Sequence, residues 1–360
     1  MLASLLTILM SAMLFGDGEL ERSPVPAKDI AKISGDVADY FEALAADQRS
    51  VQTNLLKAIV EDMGKAIKKA RVEESTLTYL EDWEILLESA KPELKGLKSL
   101  YGKGLKEYVF TDPVNQDWDP VMCFISIPKT YTKMKEEFPP AVLVLLPDLT
   151  GQLSADELMG SISQFEVAYT ALLDTHIVLI PVGRQEGEGR KAKTIPHQGS
   201  WLTDENLYTL FTGMRVLLEQ LRFDRSQLVL DGWGNAGEDA LRVASISPAW
   251  FAGVVNRDGP TGDETLLLEN LEHVPVLYVQ GSEGPGIGDL PQRSGETVGV
   301  KLITGAGTFL EPSTEALDEV NAWIESRERP LSPSKIHYKL GDIRFQSVNW
   351  VKAMSINKRP

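Results

Sequence analysis

The residue types that could do chemistry in this 360-residue chain gather in its second half. His197 and Ser200 stand close together on the polar stretch Thr194–Trp201, as a base and an oxygen nucleophile would. An imidazole within reach of a hydroxyl takes its proton and so activates a weak nucleophile. No acid is positioned by the sequence to orient that histidine, so ordinary loop polarity is the simpler reading of the pair. Arg257 and Asp258 end an apolar run just before Gly259, where they either offer charge to a ligand or form an ion pair at a strand end. Asp148 follows another apolar run, Val142–Leu146, after Pro147. Trp233 and Asn235 flank Gly234, where the run Leu228–Leu230 gives way to a helical pattern. Asp148, Trp233, Asn235, Arg257 and Asp258 are therefore the candidates for holding a ligand.

Three further positions matter for what they lack. Residues 230–237 read Leu-Asp-Gly-Trp-Gly-Asn-Ala-Gly, a β-type run opening into a helix. That is the setting of a G-x-S-x-G elbow, where a serine sits on a sharp strand-to-helix turn. Gly234 holds the serine's place. The run Pro275–Gly281 and the turn after it look like the strand that delivers an acid, with Gly284 at the acid's position. Gly305-Ala306-Gly307-Thr308 looks like the turn that delivers a histidine, with Thr308 in its place. Glu283 could stand in for the acid by a one-residue shift, but it has no histidine to orient.

Other segments fall in matching chain order. They are Ile127-Pro128-Lys129-Thr130-Tyr131, Phe138-Pro139-Pro140 with the apolar run up to Pro147, Phe223–Gly232, and Pro248–Gly253. Together these pieces resemble α/β-hydrolases over roughly residues 120–330, especially secreted esterases related to polyhydroxybutyrate depolymerases and serine-peptidase-like hydrolases. The resemblance implies an α/β-hydrolase fold with all three triad positions substituted, at Gly234, Gly284 and Thr308, so no catalytic residue is expected. It also implies that Leu146–Gly151 stands where such esterases carry a histidine-glycine oxyanion loop. Here Pro147-Asp148 replaces that pair, and a carboxylate there would oppose a developing oxyanion. Losing nucleophile, acid and base together while the framing glycines remain argues for a pseudo-esterase. Such a protein would bind an unknown protein or small-molecule ligand. The alternative is an active ester or peptide hydrolase with a displaced nucleophile, for which Ser200 and His197 are the candidates.

The elements that must position these residues are legible in the pattern. Short apolar runs recur at Val142–Leu146, Ile177–Ile180, Leu228–Leu230, Val254–Val255, Val276–Val279 and Val300–Ile303. Amphipathic stretches lie between them at Asp156–Asp174, Asp204–Leu221 and Pro312–Glu325. Strands buried on both faces are apolar throughout, and their alternation with helices predicts a mostly parallel sheet with helices on both faces. Ligands of such sheets bind outside the carboxyl ends of the strands, where the vacated positions should fall.

Before the sheet, Ala27–Leu100 carries apolar residues at three- to four-residue spacing, from Ile33 to Ile67 and again from Leu77 to Leu87. This predicts a helical extension, an antiparallel pair, over residues 19–110, ahead of a hydrolase-like domain over 111–330. Residues 331–360 alternate like a β-hairpin tail turning at Gly341-Asp342. Residues 1–18 have the length and apolarity of a signal or export segment, without a basic start. A periplasmic or secreted location is therefore the expectation, with a cytoplasmic one and a packed N-terminal helix as the alternative. That segment is too short for an integral membrane span. A net charge of −16 argues against nucleic acid or an anionic membrane as partner. One cysteine, Cys123, and four scattered histidines predict neither a disulfide nor a zinc site, and no cofactor is expected.

Overall fold

Apolar runs become strands, and the stretches Asp204–Leu221 and Pro312–Glu325 carry helices, in the order the pattern requires. Residues 156–165 of the remaining amphipathic stretch lie outside the described residues. The computed structural model describes residues 27–45, 49–70, 97, 99–110, 119–132, 139–148, 166, 168–187, 193–262, 266–281, 286–295, 298–304, 314–330, 336, 338–340, 347–348 and 351–352. The chain divides into two units, one drawn chiefly from Met1–Lys95 and one chiefly from the remainder.

In the first unit, α1 (Ala27–Ala45) and α2 (Arg49–Ala70) bury Ile30, Ile33, Ile59 and Ala66 against each other. Lys32 Nζ meets Asp62 at 2.6 Å, and Gln52 Nε2 donates to the Ala43 carbonyl at 3.1 Å. Residues early in one helix thus face residues late in the other, so the pair is antiparallel. Residues 1–26 and the stripe from Leu77 to Leu87 lie outside the described residues.

The second unit runs β1 (Lys106–Phe110), β2 (Val121–Ser126), β3 (Ala141–Leu146), α3 (Thr170–Leu173), β4 (His176–Glu186), β5 (Lys193–Pro196), α4 (Asp204–Gln220), β6 (Leu228–Trp233), α5 (Asn235–Ile246), β7 (Gly253–Arg257), β8 (Val276–Gln280), α6 (Leu290–Ser294), β9 (Val300–Thr304), α7 (Thr314–Glu325), β10 (Ser347–Val348) and β11 (Val351–Lys352). The strand order is β1-β2-β4-β3-β6-β7-β8-β9, with β5 attached to β4. β2 runs antiparallel to both its neighbours, and β4, β3, β6, β7, β8 and β9 are mutually parallel. This is the α/β-hydrolase sheet. One face packs Leu143, Leu145, Val229, Trp233, Val255 and Leu277 against Leu172 of α3 and Val320, Trp323 and Ile324 of α7. The other is covered by Ala236, Ala240, Leu241, Val243 and Ala244 of α5. With both faces dry, the parallel strands must be apolar along their length.

In three places the structure departs from the sequence pattern or adds to it. Residues 106–110, inside the stretch expected to be helical, form β1, whose mostly exposed residues give little periodicity to read. The stretch Gly183–Lys193 carries the end of β4 and begins β5. Gly183 permits this: a side chain there would overlap the Ile195 carbonyl oxygen and would come within 2.9 Å of the Pro196 Cα. In the tail, the expected turn at Gly341-Asp342 lies outside the described residues, and the described ladder pairs Ser347–Val348 antiparallel with Val351–Lys352. The Lys339 backbone is held by one side chain, its N–H donating to Asn270 Oδ1 at 2.7 Å and its carbonyl accepting from Asn270 Nδ2 at 2.9 Å. That amide makes both of the bonds a strand partner would make to this residue.

Candidate active site

The turn from β6 into α5 is built by absent side chains. Gly234 caps α5 with φ 58° and ψ −130°, a conformation that L side chains rarely adopt. Its N–H donates to the Arg257 carbonyl at 2.8 Å, and its carbonyl accepts from Gly237 N at 2.9 Å. At Gly232 a Cβ would overlap the Ala236 oxygen and approach Ala240 Cβ to 2.8 Å. At Gly259 it would come within 2.6 Å of the Gly234 oxygen. The first turn of α5 can press on β6 and β7 only because these positions are glycine. Gly234 thus sits on a tight strand-to-helix turn at the carboxyl edge of the sheet, where the elbow is expected.

The space a side chain at 234 would take is already filled. Asp148, just beyond β3, places a carboxylate oxygen in overlap with that Cβ position, with its Cγ 3.1 Å away. The same oxygen, Oδ2, accepts from the Asn235 backbone N–H at 3.1 Å and from Asn235 Nδ2 at 3.3 Å. In an esterase of this fold, the N–H following the nucleophile helps to bind the oxyanion. Here that donor, at the positive end of α5, holds the protein's own carboxylate. Asp148 and Asn235, two of the expected ligand-binding residues, are therefore brought together and bind each other.

Trp233 and Arg257, also expected to hold a ligand, are instead buried beneath the turn, at 2% and 3% exposure. Arg257 Nε donates to Asp231 Oδ1 at 2.9 Å and Nη2 donates to Oδ2 at 2.8 Å, a two-pronged pair. Tyr169 OH donates to Asp231 Oδ2 at 2.8 Å and accepts from Trp233 Nε1 at 2.6 Å. The guanidinium lies 5.1 Å from the centroids of both the Tyr169 and Trp233 rings. Burial alone would make Arg257 easier to deprotonate, but the Asp231 carboxylate holds it above its ordinary range. Burial likewise pushes the Tyr169 hydroxyl well up. Arg257 pairs with Asp231 rather than with its neighbour Asp258, because residues 231, 233 and 257 share one sheet face in the β6–β7 register.

Asp258 follows β7 at φ 56°, a left-handed conformation for a residue with a side chain. Its Oδ1 accepts from Gly281 N at 2.6 Å, and partial burial raises the carboxyl above its ordinary value. It thereby ties β7 to the start of the turn that should carry the acid. Gly284, Glu283 and Thr308 lie outside the described residues.

The displaced pair does not assemble. Ser200 Oγ donates to Asp239 Oδ1 at 2.9 Å and accepts from Leu202 N at 3.1 Å, the bonds of a loop-closing serine. Asp239 also accepts from Trp201 N at 2.7 Å, and burial raises its carboxyl above the ordinary range. The His197 ring packs edge-on against Trp201, with centroids 5.1 Å apart, and burial lowers it to about 4. Among the described residues no hydrogen bond joins His197 to Ser200, so that hydroxyl has no imidazole base. Cys123 is wholly buried, and burial pushes its thiol up. Among the described residues no group of three or more histidine, cysteine or acidic side chains is placed to hold a metal ion.

Sequence reasoning missed Tyr169, Asp231 and Asp239. Asp231 carried a signal: an acid inside the run Leu228–Leu230 and Gly232 must find a buried partner. Tyr169 and Asp239 carried none, since each meets its partner only through the fold.

No family model matches the sequence, and no curated protein matches it. Solved structures do resemble it. A thermostable esterase is 16% identical, over 63% of this chain and 64% of its own length, with a TM-score of 0.47. S-formylglutathione hydrolase from Agrobacterium tumefaciens is 14% identical, over 62% of this chain and 95% of its own, with a TM-score of 0.43. FphF, a fluorophosphonate-binding serine hydrolase of Staphylococcus aureus, is 11% identical, over 61% and 98%, with a TM-score of 0.44. At these identities no activity carries over to this chain, and function resides in the site.

Proposed function

We propose that this chain is a catalytically silent α/β-hydrolase-fold protein that binds a small ligand or a protein partner rather than turning over an ester. One observation carries the reading. The Asp148 carboxylate occupies both the side-chain space at Gly234 and the Asn235 amide that would polarise a substrate carbonyl. Nucleophile and oxyanion donor are thus unavailable at the same point, and a negative charge stands where the transition state would develop one. The displaced-nucleophile reading gains no support from Ser200, whose hydroxyl is committed to Asp239. The experiment is exposure of the purified protein to a fluorophosphonate probe and to p-nitrophenyl acetate. No covalent adduct and no turnover above a heat-denatured control are expected. Stoichiometric labelling of Ser200, or of any serine, would overturn the reading.

A further inference from the structure

A cavity lies apart from the elbow, between the β4–β5 hairpin and the first turns of α4. It measures about 690 Å³, within the usual size range of small-molecule sites. β4 runs on to Glu186, and the bare Gly183 lets β5 close against it, so Ile195 and Pro196 form one wall. The start of α4 forms another, fixed by Thr203 Oγ1 accepting from Asn206 N at 3.3 Å.

His197 follows β5 and lines this space at only 6% exposure. Its Nε2 is buried and has no hydrogen-bond partner among the described residues. Asn206 lies beside the ring, and its other bonds limit what it can offer there. Both hydrogens of its Nδ2 go to carbonyls, Gln198 at 3.1 Å and Ser200 at 2.8 Å, so the group it has left to offer the ring is the acceptor Oδ1. The Asn206 contact also favours the protonated imidazole, as an acceptor would, while burial keeps the ring neutral near pH 7. The tautomer that suits this arrangement is Nδ1–H, which leaves Nε2 as an acceptor. A buried acceptor left unmet is costly, and a ligand that brings a donor relieves it.

The charges at this cavity point the same way. Arg184 Nη2 meets Glu186 at 2.9 Å, while Asp119 and Glu205 stand 3.8 and 3.9 Å from its Nη1. Of the charged residues lining the cavity, the carboxylates Asp119 and Glu205 outnumber the guanidinium Arg184, so the site is net negative, in a chain that is itself strongly acidic. We propose that this cavity binds a small organic amine. Its N–H donates to His197 Nε2, its charge is met by Asp119 and Glu205, and its apolar stem lies on Ile195 and Pro196. The proposal stands whether or not the elbow is silent, and its test does not involve hydrolysis.

The test is titration of the full chain with n-butylamine, n-butanol and butyrate, followed by long-range proton–nitrogen NMR of the histidine rings. Before ligand, His197 should show the Nδ1–H tautomer. Butylamine should shift its Nε2 resonance saturably, butanol should bind about tenfold more weakly, and butyrate should not bind. His197→Phe should lower butylamine affinity about tenfold, and Glu205→Gln, at an exposed side chain, about threefold. If His197→Phe fails to fold, the wild-type Nε2 shift and Glu205→Gln decide. An unmoved Nε2 resonance, butyrate binding as tightly as butylamine, or unchanged affinity in the folded variants would overturn the proposal.

Discussion

Asp148 and Asn235 lie 87 residues apart in sequence and meet at the elbow, where the Asp148 carboxylate accepts from the Asn235 amide at 3.1 Å. Gly234, between them in space, has no side chain because that carboxylate fills the place of one. The glycine and the aspartate are therefore one feature: either residue alone, set in an ordinary elbow, would clash or leave a gap.

Their dependence can be measured. Gly234→Ala forces a side chain onto a left-handed backbone and into the carboxylate, and should cost roughly 3 kcal/mol of stability. In an Asp148→Gly background the steric part disappears, so the same substitution should cost less by at least about 1 kcal/mol. Urea denaturation of the four proteins gives the coupling directly. Simple additivity would show that Asp148 does not occupy that space in solution.

How much of this could be read from the chain follows from what each residue touches. β3, β6, β7 and β8 are buried on both faces, so unbroken apolar runs such as Val142–Leu146 announced them. β1, with one buried residue in five, announced nothing. Gly234 was legible because a turn needs particular residues at fixed local offsets. The plug was not, since nothing near Asp148 in sequence says that it reaches the first turn of α5. Arg257 misled for the same reason: its sequence neighbour is Asp258, but its partner is Asp231 on the adjacent strand.

That buried pair should behave as a structural unit. Arg257→Met alone leaves the Asp231 carboxylate wholly buried with only Tyr169 to donate to it, and should cost about 3–5 kcal/mol. Removing the charge as well, in Asp231→Asn/Arg257→Met, should restore at least about 1 kcal/mol, because the amide oxygen still accepts from Tyr169. Denaturant midpoints decide. An Arg257→Met protein within about 1 kcal/mol of the parent would mean that the pair is solvated, and Arg257 would return as a ligand-binding candidate.

Stability should fall on mild acidification. Burial lowers both His176 and His197 to about 4. The unfolded chain, with histidines near 6.5, takes up protons first as the pH drops. Stability is therefore complete above about pH 6.5 and is lost progressively towards pH 4, by roughly 3 kcal/mol per histidine. Asp239 and Asp258 act in the opposite sense, because burial raises them and the folded form then protonates more readily. Their contribution enters only as the pH approaches the carboxylate range, so the net loss should be steepest between pH 6.5 and 5. Urea midpoints at pH 7.5, 6 and 5 should show the decline, and His176→Asn with His197→Phe should flatten it. A flat parent profile would place both rings in contact with water.

The strongest test of a dismantled site is an attempt to rebuild it. Gly234→Ser alone should be inactive, because its Cβ meets the Asp148 carboxylate and no base is expected at Thr308 to take its proton. Gly234→Ser with Gly284→Asp and Thr308→His returns three group types to their expected turns, yet Asp148 still occupies the Asn235 amide. Only with Asp148→Gly added is that donor free to bind an oxyanion, a contribution that in working esterases reaches about 10²–10³ in rate. The fourth change should therefore raise turnover of p-nitrophenyl acetate more than any of the other three, although weak activity is the most to expect. Fluorophosphonate labelling of the serine introduced by Gly234→Ser should appear in the quadruple variant and be absent from the single one. Efficient hydrolysis by Gly234→Ser alone would mean that Asp148 swings aside and that a base already stands ready. The chain would then be an esterase lacking one hydroxymethyl group, and the plug would be a crowded rotamer rather than the reason for silence.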